Sequence, residues 1–485
     1  MTSATGGRRR VAVVGGGIAG LAAANLLREQ AAERSLQIDA LVLEAGHRLG
    51  GVISTVRRDG FLLEEGPDSI VTDKPWGLRL AERVGLAKRI VWTREEHRRS
   101  FVVRSGRLEP TPDGFHLLAP TRFMPLVTSR VFSLRGKLRM AMDLLIARRP
   151  PAGDESVAAF VTRRLGREAL ERMAQPMIGG IYGADPAELS LRATFPRFLD
   201  MEREHGSVIR GLLATGRRRA AASEASGARY GLFASLDDGL QILTEALIAR
   251  LPAGWTRTSA GVEAIAPDPS GGWRIAVLGR QERFDAVILA THAPEAASLV
   301  RPFDAALAAR LGSIAYGSAA TVSVALPTGG IAHPLDGFGF VCPAIEKASI
   351  VGCTFSHRKY EGRAPSGQAL LRAFWDDRSG PLSDDQIIER TLGDLGRFLG
   401  LRAAPTFVHV ARWRRAMPRY AVGHLDLVSD IERLAGAHAG FALAGNAYRG
   451  IGIPDCIRGG ESAARLVLVQ LFPGQMEPGS DRLQH

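Results

Sequence analysis

Three glycines, Gly15, Gly17 and Gly20, fall in the run Gly15-Gly16-Gly17-Ile18-Ala19-Gly20. The apolar tetrad Val11–Val14 precedes them, and the helix-forming stretch Leu21–Leu27 follows. That order predicts a buried parallel strand, a tight turn and a helix. Gly15 would permit the turn, Gly17 would let backbone amides approach a pyrophosphate, and Gly20 would let the helix pack closely on the strand. The backbone N–H groups of Ile18 and Ala19 would then point at an anion, and the helix N-terminus would add partial positive charge. A second apolar run, Ile38–Leu43, ends in Glu44, whose carboxylate can hold both ribose hydroxyls of an adenosine dinucleotide. The same carboxylate would repel the 2′-phosphate of NADP. A glycine-rich turn beside a solvated Glu would account for the turn but not for this order of elements.

Other residues with chemical potential are sparse. The chain shows no nucleophile elbow and no HExxH. His292, His333, His357 and His424 lack metal-ligand spacing and read as packed or surface residues. Cys342, Cys353 and Cys456 are odd in number and form no CxxC, which argues against a disulfide framework or a structural zinc and suits a reducing compartment. No metal ligand and no protein acid or base is therefore assigned.

The continuation Ala45-Gly46-His47-Arg48-Leu49-Gly50-Gly51-Val52 resembles the fingerprint of FAD-dependent oxidoreductases of the amine-oxidase superfamily. That resemblance implies FAD rather than NAD, with Ala45, Arg48, Gly51 and Val52 near the pyrophosphate. It also places the turn Glu65-Gly66-Pro67-Asp68-Ser69 against the flavin and Val262 against adenine. In Phe441–Ile457 a strand ends at Gly445-Asn446, a glycine loop follows, and Pro454 begins a helix. The resemblance aims that helix N-terminus, with Asn446, Ile451, Gly452 and Ile453, at the flavin's pyrimidine edge, where its dipole would favour reduction.

Gly445–Ile457 is similar to the C-terminal signature of oxygen-dependent protoporphyrinogen oxidases. So are Phe160–Gly166, Gln175–Pro186, Leu189-Ser190 and Ala193–Pro196. The resemblance spans Val11 to Leu468. It implies oxidation of protoporphyrinogen IX to protoporphyrin IX in haem biosynthesis, six electrons in three flavin turnovers, with O2 reduced to hydrogen peroxide. The flavin carries the chemistry. It further implies substrate contacts at Phe338 and Val341, with Arg99 pairing a propionate. Coproporphyrinogen III is the alternative substrate, and flavin amine oxidation the alternative reaction. Amine oxidases commonly place a Lys near the flavin, and the second half of this chain has only Lys347 and Lys359, neither in a recognisable context.

These residues need elements to hold them. The reading is α/β: a discontinuous Rossmann-type FAD-binding domain (8–80, 229–295 and 438–473), a helical membrane-associating insertion (112–210) and an α+β substrate domain (81–111 and 296–437). Gly211–Gly227 is expected to be a mobile loop, and the tail from Pro473 is expected to be disordered. The 485 residues carry 62 basic and 50 acidic side chains, a net charge of +12. Residues 120–150 hold seven cations (Arg122, Arg130, Arg135, Lys137, Arg139, Arg148, Arg149) against Asp143 alone, half of that excess. Leu134, Leu138, Ala141, Met142 and Leu145 recur there at helical spacing, with Arg135 and Arg139 on a neighbouring face. An amphipathic basic helix suits an anionic membrane surface, and the resemblance implies peripheral attachment on the inner face of the cell membrane, in the cytoplasm. No apolar run reaches the length of a spanning helix. The arginines are scattered among acids without a nucleic-acid-binding pattern, so nucleic acid is not expected as a partner. A homodimer is left open.

Overall fold

Near-continuous apolar strands need cover on both faces, and the first fifty residues supply the start of such a sheet. In the computed structural model, Arg9–Val14 and Ile38–Leu43 pair in parallel, with Val14 opposite Leu43 and helix Ile18–Glu33 between them in the chain. The structure describes residues 8–112, 115–116, 119–120, 123–149, 153–215, 232–376, 380 and 382–476. Three more parallel strands complete the sheet, in the order Thr256–Arg257, Ile38–Leu43, Arg9–Val14, Ala286–Leu289, Phe441–Leu443. Helices Ile18–Glu33, Gln241–Arg250 and Ile453–Leu471 bury one face.

The opposite face is covered by the antiparallel strands Val262–Phe284 and by helices Ala293–Val300, Ala305–Gly312 and His424–Ala435. The last two helices fall inside 296–437, the stretch expected for the substrate domain. They join the sheet instead because Leu307, Leu311, Val428 and Ile431 bury against its exposed apolar face. Likewise Ile90–Trp92, expected in the substrate domain, pairs with Phe233–Leu236, which also pairs with Ile70–Val71. Strand edges seek partners wherever the chain brings them.

A second sheet of seven strands runs Phe407–Pro418, Tyr316–Pro327, Gln368–Asp376, Gly352–Phe355, Gly339–Val341, Ser100–Arg104, Arg107–Pro110. It is antiparallel except for the parallel pair Gly339–Val341 with Ser100–Arg104. Helix Asp384–Leu399, started by a Ser383/Gln386 capping box, seals one face through Leu395 and Phe398. The other face meets a helical body whose core is Phe160, Val161, Met173, Ile178, Phe198 and their neighbours. Inside that body Arg164 and Asp143, both fully buried, pair at 2.5 Å, and Asp143 also accepts from Ser207 Oγ and Ile209 N.

The expected mobile loop begins as ordered helix: 208–215 is helical, and 216–231 lies outside the described residues. Pro473–Met476 is likewise ordered. Met476 packs on the parallel-sheet core and the Gln475 carbonyl accepts from Arg34 at 2.9 Å, while 477–485 lies outside the described residues. Among the described residues no helix is long and apolar enough to cross a membrane.

Candidate active site

All five parallel strands end on one edge, and ligands of open α/β sheets bind outside that edge. Across it stand, in order, Arg257, Glu44, Gly15–Gly17, Ala290 and Gly445. At about 4.8 Å per strand, Glu44 and Gly445 are about 14 Å apart. An extended dinucleotide therefore fits along the edge.

The glycines have separate jobs there. Gly15 takes φ +110°, and a Cβ on it would lie 2.5 Å from the Ala290 carbonyl oxygen. A Cβ on Gly20 would run into the Gly15 carbonyl, so Gly20 lets the helix sit on the turn. Gly17 is different: its backbone is extended, and a Cβ there would meet no protein atom within 4 Å. That open space stands over the N-terminus of helix Ile18–Glu33, which has no side-chain cap and no acid in its first turn. The side chains of Ile18 and Ala19 are buried in the core, so only their backbone N–H groups can serve a ligand. Glu44 accepts from Gly16 N at 2.8 Å and Gly46 N at 2.7 Å. Ala45 is exposed, and Gly261 beside Val262 faces it, a Cβ on Gly261 being 3.6 Å from that of Ala45. The segment expected at adenine therefore does stand beside the segment expected at ribose.

Arg48, expected to reach the pyrophosphate, donates instead to the carbonyls of Leu49, Ile53 and Gly51 at 3.2, 3.1 and 2.7 Å. It thereby shapes the glycine loop. A Cβ on Gly51, which sits at φ +59°, would lie 3.1 Å from the Gly17 Cα, and the Val52 carbonyl fills the place of any Cβ on Gly66.

The turn after Gly66 and Pro67 is anchored from the second sheet. Lys359 Nζ lies 3.0 Å from each Asp68 carboxylate oxygen and 2.8 Å from Ser69 Oγ, which also accepts from Tyr360 Oη. The side chains of Asp68 and Ser69, expected at the cofactor, are thus committed to this buried cluster. Burial works to raise the Asp68 pKa, but Lys359 and Arg372 outweigh it and hold the carboxyl well below its usual range. Arg372 donates to the Gly66 carbonyl, and Trp413 Nε1 and Thr321 Oγ1 donate to that of Glu65. The Glu65 carboxylate takes His409 at 2.7 Å and Ser54 Oγ at 2.5 Å, and the His409 bond lowers its pKa.

The far end of the edge is braced as closely. The Asn446 amide donates to the Ala416 carbonyl and accepts from Tyr316 Oη, so it ties the loop to the second sheet. Tyr420 Oη donates to the Asn446 carbonyl at 2.6 Å and accepts from Gly450 N at 2.9 Å. Its ring stacks on His424 with centroids 3.9 Å apart. Gly452 is the N-cap of helix Ile453–Leu471 without a side-chain cap, and Ile453 is buried. A Cβ on Gly460, seven residues into that helix, would run into the Ala19 carbonyl. At 1.5 Å per residue, this helix start overshoots the first by about 10 Å of helix length. Two uncapped helix starts are therefore staggered along one edge.

Of the expected substrate contacts, Val341 packs on the core of the helical body, as do Met177, Tyr182, Ala184 and Ile451, the last expected at the flavin. Phe338 is half-buried and lies beside Arg99, whose carbonyl accepts from Phe338 N at 2.7 Å. Arg99 itself is an exposed surface residue paired with Asp336 at 2.8 Å. No local motif marks Arg372, His409 or Tyr420, and Lys359 stands in the sequence only as one of two lysines in the second half, without a recognisable context.

A model of the flavin containing amine oxidoreductase family matches residues 18–468. The chain belongs to that family. As a member it is an FAD-dependent oxidoreductase, and its open Gly17 cradle and staggered helix starts fit that cofactor. Within the family it is similar to the coproporphyrinogen III oxidase of Bacillus subtilis (strain 168), 33% identical over 96% of this chain and 99% of that one. It is also similar to protoporphyrinogen oxidase 1, chloroplastic, of Spinacia oleracea, 31% identical over 94% of this chain and 83% of that one. A crystal structure of a putative protoporphyrinogen oxidase from Exiguobacterium sp. 255-15 superposes with a TM-score of 0.82 at 30% identity, covering 95% and 98% of the two chains.

Proposed function

We propose that this flavoprotein oxidises a porphyrinogen to the porphyrin, one macrocycle and three O2 giving three hydrogen peroxide. The observation that carries the reading is that Val341 of the second sheet, Met177, Tyr182 and Ala184 of the helical body, and Ile451 of the glycine loop all pack against one apolar core. Together they offer an apolar boundary for a flat, greasy ring. The names of the similar porphyrinogen oxidases support the same chemistry. When bound, FAD supplies hydride acceptance from a bridging carbon and delivery of two electrons to O2. The chain's residues would position and exclude: the N–H groups after Gly17 would hold the pyrophosphate, Glu44 would hold ribose, and Val341 and Ile451 would keep water from the reacting carbon.

Coproporphyrinogen III is placed ahead of protoporphyrinogen IX. The relatives of Bacillus subtilis and Propionibacterium freudenreichii subsp. freudenreichii, 33% and 36% identical, are matched over 99% and 90% of their length, against 83% for the spinach enzyme. Its two additional propionates also suit a chain of net charge +12. FAD-loaded protein assayed in air with each porphyrinogen should give a kcat/KM at least tenfold higher for coproporphyrinogen III. The reverse ratio would restore protoporphyrinogen IX, and no oxidation of either would remove the proposal. Amine oxidation is the second reading, and one observation favours it: Lys359 does stand beside the turn Gly66–Ser69. Its ammonium is, however, committed to Asp68 and Ser69.

We also propose peripheral attachment to anionic lipid, on the cytoplasmic face of the cell membrane. Leu134, Leu138, Met142 and Leu145 line one side of 134–145 and are 74%, 62%, 50% and 84% exposed. Such a stripe on a soluble surface marks an interaction site. Exposed Arg135, Arg148 and Arg149 flank it. Arg139 does not, because its guanidinium closes on the carbonyls of Thr162, Arg163 and Arg164. Sedimentation with anionic but not neutral vesicles is expected, and equal sedimentation with both or neither would remove the membrane reading.

A further inference from the structure

Lys74 and Asp455 lie 381 positions apart in the chain, yet Lys74 Nζ is 2.6 Å from Asp455 Oδ2. Asp455 occupies the first turn of helix Ile453–Leu471, and its side chain is only 4% exposed. It sits under the glycine loop: a Cβ on Gly450 would run into its carboxylate, and one on Gly452 would lie 3.5 Å from it. The Tyr182 hydroxyl and the Cys456 thiol both have raised pKa values, first through burial and then through the Asp455 charge, so that charge is felt around the loop. Arg458 also lies 3.6 Å from it.

A carboxylate in a first turn suits the helix but opposes negative charge on any ligand that meets the same helix start. Reduction adds negative charge to the flavin ring. We propose that Lys74 is a positioning residue for cofactor electrostatics: by neutralising Asp455 it leaves the Gly450–Gly452 helix start net positive, which makes FAD easier to reduce. The assignment rests on FAD lying along the glycine edge with its ring at this loop.

The test is the two-electron midpoint potential of the FAD-loaded full chain, measured by equilibration with a redox dye. Lys74→Met should shift the oxidised-to-reduced equilibrium at least tenfold toward oxidised FAD, about 30 mV. Asp455→Asn should shift it in the opposite direction. The double variant, and Lys74→Arg, should stay within threefold of wild type. Singles that both move the same way, an Asp455→Asn variant at the wild-type potential, or a double variant as displaced as Lys74→Met would each overturn the proposal. If Lys74→Met loses FAD, Asp455→Asn and the double variant decide by the same criteria. Retention of full FAD affinity by Gly17→Val would contradict the cofactor placement itself, a failure distinct from unmoved potentials.

Discussion

A Cβ at Gly17 would touch no protein atom within 4 Å, whereas one at Gly15, Gly20 or Gly66 would meet a carbonyl oxygen. The fold should therefore tolerate Gly17→Val while the ligand does not. FAD titration of that variant should show at least a tenfold weaker Kd, about 1.4 kcal/mol, with the melting temperature of the FAD-free protein unchanged. Gly66→Ala should act the other way, costing about 1–3 kcal/mol of stability in urea because the Val52 carbonyl must move. Tyr420→Phe keeps the ring on His424 but leaves the Gly450 N–H without its acceptor. A loss of about 1–3 kcal/mol is expected, together with an altered flavin circular-dichroism spectrum of the loaded protein; an unchanged spectrum would show that the loop does not depend on that hydroxyl. At this scale the sequence was legible where backbone chemistry depends on local spacing, as at Gly15–Gly20. It was silent on the partners of Lys359 and Tyr420, since Asp68 and Asn446 are brought to them only by the folded sheets.

Elements were legible by period but not by destination. Leu134, Leu138, Met142 and Leu145 show the same spacing whether a helix faces a core or a lipid, and only the structure turns them outward. What holds that exposed stripe is the buried Arg164–Asp143 pair. Arg164→Met strands a buried carboxylate, and a cost of about 3–5 kcal/mol is expected; on the membrane reading, vesicle binding falls with it. His357 gives the second sheet a pH signature. Burial pushes its pKa down to about 4, against the opposing pull of its Nδ1 contact with the Leu370 carbonyl at 3.3 Å. The unfolded chain takes up this proton near its ordinary pKa of 6.5 and the folded chain near 4, so stability falls as pH drops between those values. Thermal melts of His357→Gln across that range should show a shallower decline than wild type, and an equal slope would count against the burial.

The whole molecule brings the remote parts of one chain to a single sheet edge. Glu44, Gly17, Ala290 and Gly445 line up there although the chain leaves for the second sheet and the helical body in between. Motifs located the edge residues, but domain limits drawn along the sequence missed helices Ala305–Gly312 and His424–Ala435, since the demand of a parallel sheet for two covered faces has no local sequence mark. The charge excess shows the same limit: Arg139 adds to the basic count of residues 120–150, yet its guanidinium is held by three backbone carbonyls. On the proposed reading, this FAD is reduced by a porphyrinogen. Anaerobic mixing of the FAD-loaded protein with coproporphyrinogen III, followed by flavin absorbance, tests it most directly. The flavin should bleach without O2 and recover in air as porphyrin fluorescence and peroxide rise. A flavin that stays oxidised with both coproporphyrinogen III and protoporphyrinogen IX, yet bleaches with a polyamine, would contradict it.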